Sequence, residues 1–196
     1  ATNIARKVLR DGFEDRVPLA RKPCLGIVLG TGMGALVDQL EETKTVDFSE
    51  MGWLPTVTAV GHAGRLAWGN VRDHSVVMLQ GRVQAYEGKP VEMLYRGVEL
   101  FAALGIEQVL LTNASGGLAA DLVVGEIVVL NDHIDLVRNA LATEYRTING
   151  GYVYDDLLSS EAVHAAQAAG HHCRRGVYAY CLGPNYETRA EYRMLK

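Results

Sequence analysis

An apolar run of strand length leads into a turn dense in glycine and polar side chains at several points along this chain. The fullest case is Val76-Val77-Met78-Leu79, which delivers the chain to Gln80-Gly81-Arg82, then Tyr86-Glu87-Gly88 and Pro90. The same layout recurs at Gly30-Thr31-Gly32-Met33-Gly34, at Asn113-Ala114-Ser115-Gly116-Gly117 and at Gly183-Pro184-Asn185-Tyr186-Glu187. A further glycine turn, Gly61-His62-Ala63-Gly64-Arg65, leads into a strand instead of following one. In α/β proteins ligands collect at the carboxyl ends of strands. A chain built this way is expected to bring its turns together on a sheet.

Periodicity fills in the rest. Residues 1–20 read as an amphipathic helix, 24–29 as a strand, 35–40 as a helix and 43–48 as a strand. Residues 51–60 read as an irregular connection. Strands at 66–71 and 75–79, joined by a turn at Asp73-His74, imply an antiparallel pair. Pro90 to Leu104 is expected to be one helix, with proline at its start and Gly105 at its end. Strands follow at 109–112, 127–130 and 177–182, with an alanine-rich helix at 161–169. Thr188 with Glu191 fits a capping box for a last helix. Alternating strands and helices with one antiparallel pair predict an α/β fold: a mixed central β-sheet flanked by helices. The 196 residues are expected to form a single domain.

Composition narrows the function class. A formal charge of −4 argues against a general nucleic-acid binder, while leaving room for a local cationic site. Cys24, Cys173 and Cys181 are odd in number and lack metal-like spacing, so reduced, buried thiols in the cytoplasm are expected. No apolar run approaches membrane-spanning length, and ATNIARKVLRDGF lacks the apolar core of a secretory signal.

The turns carry groups for one chemistry, each with a plainer alternative: Arg82 as a surface or interface ion pair, His62 as structural or solvated, Gly30–Gly34 as a tight turn and Tyr186 as core. Arg82 offers a planar fork of donors for phosphate or carboxylate. His62 donates a hydrogen bond or carries a proton near neutrality. Thr31 adds a hydroxyl in a strand–glycine–helix setting that suits an anion, and the small Ala114 lets its N–H approach a ligand. Tyr86 suits a sugar hydroxyl, Tyr186 the face of a base, and Glu187 the N–H edge of a purine. Glu87 is placed to orient His62 or Arg82, or to make an ion pair that serves the fold alone. Asp132-His133 reads as structural and His171-His172 as a solvated pair.

Six segments resemble the trimeric purine nucleoside phosphorylases, in that family's order. They are VLGTGMGAL (28–36), GHAGRL (61–66), GRVQAYEG (81–88), LTNASGGL (111–118), DHIDL (132–136) and GPNYETRAEYRML (183–195). The resemblance implies phosphorolysis of purine ribo- and deoxyribonucleosides to free base and sugar 1-phosphate by a homotrimer. It implies no metal or organic cofactor, inorganic phosphate as co-substrate, and no nucleic-acid or membrane partner. It assigns Thr31, His62, Arg82 and the Ala114 backbone to phosphate, Tyr86 to ribose, and Tyr186 and Glu187 to the base. Glu87 then joins His62 and Arg82 as the catalytic set.

Some features depart from the family pattern. Gln84 stands where the family usually has a histidine. The family runs on past this point with a Gly-Met-Ser segment, a purine-reading asparagine and, in many members, a histidine near the sugar. The chain is therefore expected to be C-terminally incomplete. Residues 138–160 also lack the family's usual Arg-Phe-Pro loop. Three other readings compete. Gly30 to Ala35 satisfies G-x-G-x-x-A, with Asp47 or Glu50 near the spacing of a dinucleotide-dependent oxidoreductase. The related methylthioadenosine phosphorylases share the chemistry, although Tyr86-Glu87-Gly88 favours the purine nucleoside branch. The third is an inactive remnant of a phosphorylase.

Overall fold

The computed structural model describes residues 23–59, 61–137 and 153–196. The helix expected at 1–20 and most of the 138–160 stretch lie outside them. The chain divides into two compact units, one ending at Ser115 and one beginning at Gly116.

The first unit holds a five-stranded mixed sheet. In chain order its strands are β1 (Leu25–Leu29), β2 (Glu41–Asp47), β3 (Arg65–Val71), β4 (His74–Gln80) and β5 (Gln108–Leu111), arranged β2-β3-β4-β1-β5. β1 runs parallel to both β4 and β5, while β3 is antiparallel to β2 and β4. The expected hairpin at 65–79 is present, its turn entered through Arg72 at φ 54°. The mixed sheet with flanking helices is the fold class expected from the sequence.

β1, β3 and β4 are apolar on both faces, and alternation sends successive residues to opposite sides. Val28, Leu66, Trp68, Val77 and Leu79 join a cluster with Phe48, Trp53, Leu54, Leu100, Phe101 and Ile106. Ile27, Leu29, Ala67, Val76 and Met78 meet Val37 and Leu40 on the other side. β5 is one of the sheet's two outer strands, and its Val109, Leu110 and Leu111 stay exposed.

Two helix expectations need correction. Gly34–Gln39 is a 3₁₀ helix. The Leu40 N–H reaches back only to Val37, and Val37 alone is buried along the segment, so packing does not reward a wider turn. The stretch from Pro90 to Leu104 is not one helix. It opens as a 3₁₀ turn at Val91–Met93 and restarts as an α-helix at Arg96–Ala103. The restart coincides with an anchor: the Arg96 guanidinium donates to the Trp53 carbonyl at 2.9 Å and lies 4.6 Å from the Trp53 ring centroid. Gly97 follows, where a Cβ would stand 2.6 Å from Leu79 Cδ1. The buried face is Leu100 and Phe101, whereas Val98 is exposed. With Phe48–Met51 as α1, this helix is α2. It ends as the sequence indicates. Gly105 at φ 74° donates to Ala102, and Ile106 donates to Phe101 and packs in its cluster, which is a Schellman ending.

The second unit pairs two parallel strands, β6 (Ile127–Asp135) and β7 (Cys173–Tyr180), with α3 (Asp156–Ala168) and α4 (Arg189–Leu195). β6 extends beyond the apolar Ile127–Leu130 because β7 pairs with it as far as Asp135. The Asp155 side chain caps α3 by accepting from Leu158 N. The capping box predicted at Thr188 is present: the Glu191 N–H donates to Thr188 Oγ1 at 3.3 Å, and Glu191 Oε2 accepts from Thr188 N at 2.6 Å.

That box yields a local prediction. The hydrogen bonds from the Thr188 backbone and hydroxyl hold the Glu191 carboxyl below its usual value. A depressed carboxyl stabilises above its ordinary pKa of 4.5, and the stabilisation is lost as pH falls through the lowered value. Thr188→Ala is expected to speed amide exchange in 189–195 about fivefold at neutral pH. Below the lowered value the difference is expected to shrink to what the Glu191 N–H to Thr188 Oγ1 bond alone contributes.

Candidate active site

The topology of the first unit gathers four loops at one sheet edge. Because β1, β4 and β5 are parallel, their carboxyl ends, and hence the turns after Leu29, Gln80 and Leu111, share an edge. Arg65, the first residue of antiparallel β3, pairs with Gln80, so the Gly61–Gly64 turn arrives there too.

Thr31, exposed in the first of these turns, lies beside Gly61: a Cβ at Gly61 would stand 3.6 Å from Thr31 Cγ2. Gly30 backs onto the 112–115 loop. Its N–H donates to Thr112 Oγ1 at 2.9 Å, and that hydroxyl donates to the Val28 carbonyl at 3.1 Å. A Cβ at Gly30 would stand 2.5 Å from the Thr112 carbonyl oxygen. Only glycine permits that approach.

His62 and Arg82 are held against each other. His62 Nδ1 lies 3.0 Å from the Arg82 carbonyl oxygen and 3.3 Å from the Arg82 nitrogen. Nε2 carries a proton when Nδ1 accepts from the Arg82 N–H, and also in the imidazolium, whose Nδ1–H donates to the Arg82 carbonyl. Nε2 is buried and has no hydrogen-bond partner among the described residues. A buried nitrogen without a partner is costly, so such atoms need an explanation. The Arg82 guanidinium donates to the Thr112 carbonyl at 3.1 Å, two residues before the exposed Ala114. Hydroxyl, imidazole and guanidinium therefore come from three loops at one edge.

Glu87 closes a one-turn 3₁₀ helix, Ala85–Glu87. Its Oε1 accepts from Gln84 N at 2.6 Å, and its Oε2 accepts from Thr58 N at 3.1 Å and Thr58 Oγ1 at 2.5 Å. Burial pushes this carboxyl up. The Thr58 hydroxyl, the Gln84 and Thr58 backbone N–H groups and the nearby His62 outweigh that and hold it below the usual carboxylate value. Thr58 has no sequence signal of its own. It lies in the aperiodic 51–60 stretch, and only its place four residues before His62 hints at a task. Tyr86, in the same turn, is exposed.

Tyr186 and Glu187 belong to the second unit. Tyr186 is 94% exposed, whereas Glu187 is half-buried. Burial raises the Cys181 thiol above its ordinary pKa, and the charge of Glu187 and a hydrogen bond between the two side chains add to this. Cys181 is thus a neighbour of Glu187 that spacing could not reveal. His133 sits edge-on to Tyr154, 5.8 Å between centroids, consistent with a structural part.

Two ingredients of a dinucleotide site are weak here. The six-residue 3₁₀ helix after Gly30 cannot supply the macrodipole of a full α-helix. Asp47 is engaged with Arg65 at 2.8 Å.

Comparison with known proteins gives this geometry its context. The sequence model of the phosphorylase superfamily matches residues 25–196. Purine nucleoside phosphorylase 1 of Bacillus subtilis is 34% identical over 185 residues, covering 91% of this chain and 68% of that protein. The Bos taurus purine nucleoside phosphorylase is 32% identical over 188 residues, covering 90% of this chain and 65% of its own. The Schistosoma mansoni purine nucleoside phosphorylase in complex with BCX-34 superposes with a TM-score of 0.86 at 30% identity, over 98% of this chain and 74% of that one. The chain thus spans about two thirds of the length of the curated relatives it matches. Ordered turns, sheet topology and similarity along nearly the whole chain agree: the chain belongs to the phosphorylase superfamily, as a member of its purine nucleoside phosphorylase family.

Proposed function

We propose that the protein catalyses phosphorolysis of purine ribo- and deoxyribonucleosides, as a homotrimer in the cytoplasm. The observation that carries this is the buried His62 Nε2, without a hydrogen-bond partner among the described residues, on the side chain held against Arg82 at the loop edge of the sheet. A donor pair so placed suits an oxyanion, and Thr31 and the Ala114 backbone add neutral donors. Hypoxanthine, adenosine and ribose-1-phosphate occur in structures of a Schistosoma purine nucleoside phosphorylase, of the Schistosoma mansoni one and, beside cytosine, of its isoform 2. Those ligands are the kinds of molecule the proposed reaction interconverts.

In this reaction the C1′–N9 bond breaks and its electron pair leaves with the purine. A phosphate oxygen then bonds to C1′. The sugar is oxocarbenium-like between the two events, and bound phosphate both stabilises its charge and stands aligned to attack. His62 and Arg82 fix the phosphate, and Tyr86 bonds the ribose. Tyr186 stacks on the base. The Glu187 carboxylate accepts purine N–H groups, which favours an oxopurine that carries a proton at N1.

Inosine incubated with and without phosphate tests the function. Hypoxanthine release that requires phosphate is the expected result. Release without phosphate, or none at all, contradicts it. Glu187→Ala is expected to weaken hypoxanthine binding about 10- to 100-fold, the worth of hydrogen bonds to a charged acceptor. Calorimetric titration of the base reads this directly, and undiminished affinity would remove Glu187 from the base site.

A further inference from the structure

We propose that Thr58 is a positioning residue for the oxyanion site: through Glu87 it ties the loop leading to His62 to the loop carrying Arg82. This rests on the phosphorolysis reading and adds a residue to it.

Beyond the strand end, where Gly64 N donates to the Gln80 carbonyl at 2.9 Å and Gly81 packs on His62, two side-chain links join the loops among the described residues. One is the His62 Nδ1 contact with the Arg82 backbone. The other is Glu87, whose Oε1 is held by its own turn at Gln84 N while Oε2 accepts both the backbone N–H and the hydroxyl of Thr58. A loop fastened at one point can hinge about it, whereas two fastenings fix its angle. The imidazole and guanidinium must grip one ion, so their separation depends on that angle. Three donors converge on the Glu87 carboxylate, which makes it a bracket and unsuits it to giving up a proton. Thr58 is exposed and outside regular secondary structure, and the fold's core does not need its side chain.

The test is steady-state phosphorolysis of inosine by the parent, Thr58→Val, Thr58→Ser and Glu87→Gln, with phosphate and inosine varied separately. Valine keeps the shape and removes the hydroxyl. The KM for phosphate is expected to rise about tenfold in Thr58→Val, within the roughly 10²-fold that a misplacement of about 1 Å can cost. The KM for inosine is expected to stay unchanged. Thr58→Ser restores the parent value, and Glu87→Gln repeats the split even if the valine variant fails to fold. An unchanged phosphate KM in Thr58→Val and Glu87→Gln overturns the proposal, as do equal rises for both substrates or failure of serine to rescue. If the parent itself shows no phosphate-dependent release, the function is overturned and the positioning role with it.

Discussion

Arg82→Ala is expected to lower kcat/KM for phosphate by about 10²- to 10³-fold, the usual loss when a fixed donor facing developing charge is removed. The loss has two sources. The guanidinium is the permanent cation of the cluster, and its bond to the Thr112 carbonyl aims it towards the loop that carries Ala114. Arg82→Lys keeps the charge without the planar fork, so it should fall between parent and alanine. The backbone contact that orients His62 uses the N–H and C=O of residue 82, which both variants retain. The defect should therefore appear in phosphate handling and leave the melting temperature nearly unmoved. His171, exposed and remote in sequence from all the turns, serves as control, and His171→Ala should stay within about twofold of the parent. Comparable losses in the Arg82 and His171 variants would show that the site is drawn wrongly.

Gly81→Ala is expected to damage both stability and activity, because position 81 meets two constraints. Its φ is +112°, a region that side-chain-bearing residues rarely enter, and such strain costs about 1–3 kcal/mol. A Cβ would also stand 2.5 Å from His62 Cβ and 2.8 Å from His62 Cγ. Overpacking of that kind costs about 1–3 kcal/mol unless a neighbour moves. The neighbour that must move is His62. The imidazole would leave the Arg82 backbone, and phosphate capture would fail along with it. Thermal melts and phosphate-saturation kinetics read the two effects separately. A variant with parental melting temperature and parental phosphate KM would refute the close packing of these loops.

Much of this was legible because the relevant signals are local. The strands at 25–29 and 74–80 are apolar on both faces, so they read as unbroken runs and are the buried parallel strands. The capping box at Thr188 and the glycine ending at Gly105 depend on residues a few positions apart. The Pro90–Leu104 stretch departs from a single helix because its helical period continues through a break that tertiary contacts set, namely Arg96 on Trp53 and Gly97 against Leu79. Val98 fits the period yet is exposed, whereas Leu100 and Phe101 carry the buried face. The far half of β6 is polar, and its partner strand alone extends it. Of the site residues, Arg82 and His62 could be named from their turns, but their mutual contact, 20 positions apart in sequence, could not. Thr58 and Cys181 carry no pattern at all. Each is found only by the carboxylate it touches.

The claim beneath all of this is that the imidazole of His62 and the guanidinium of Arg82 grip one ion. The most direct measurement follows the His62 ring nitrogens by NMR as inorganic phosphate is titrated into the protein and into Arg82→Ala. A shared ion requires a saturable change at Nε2, with Nδ1 still held by the Arg82 backbone, and its loss over the same phosphate range in the variant. Phosphate that binds without disturbing Nε2, or that disturbs it equally when the guanidinium is gone, would contradict a shared site.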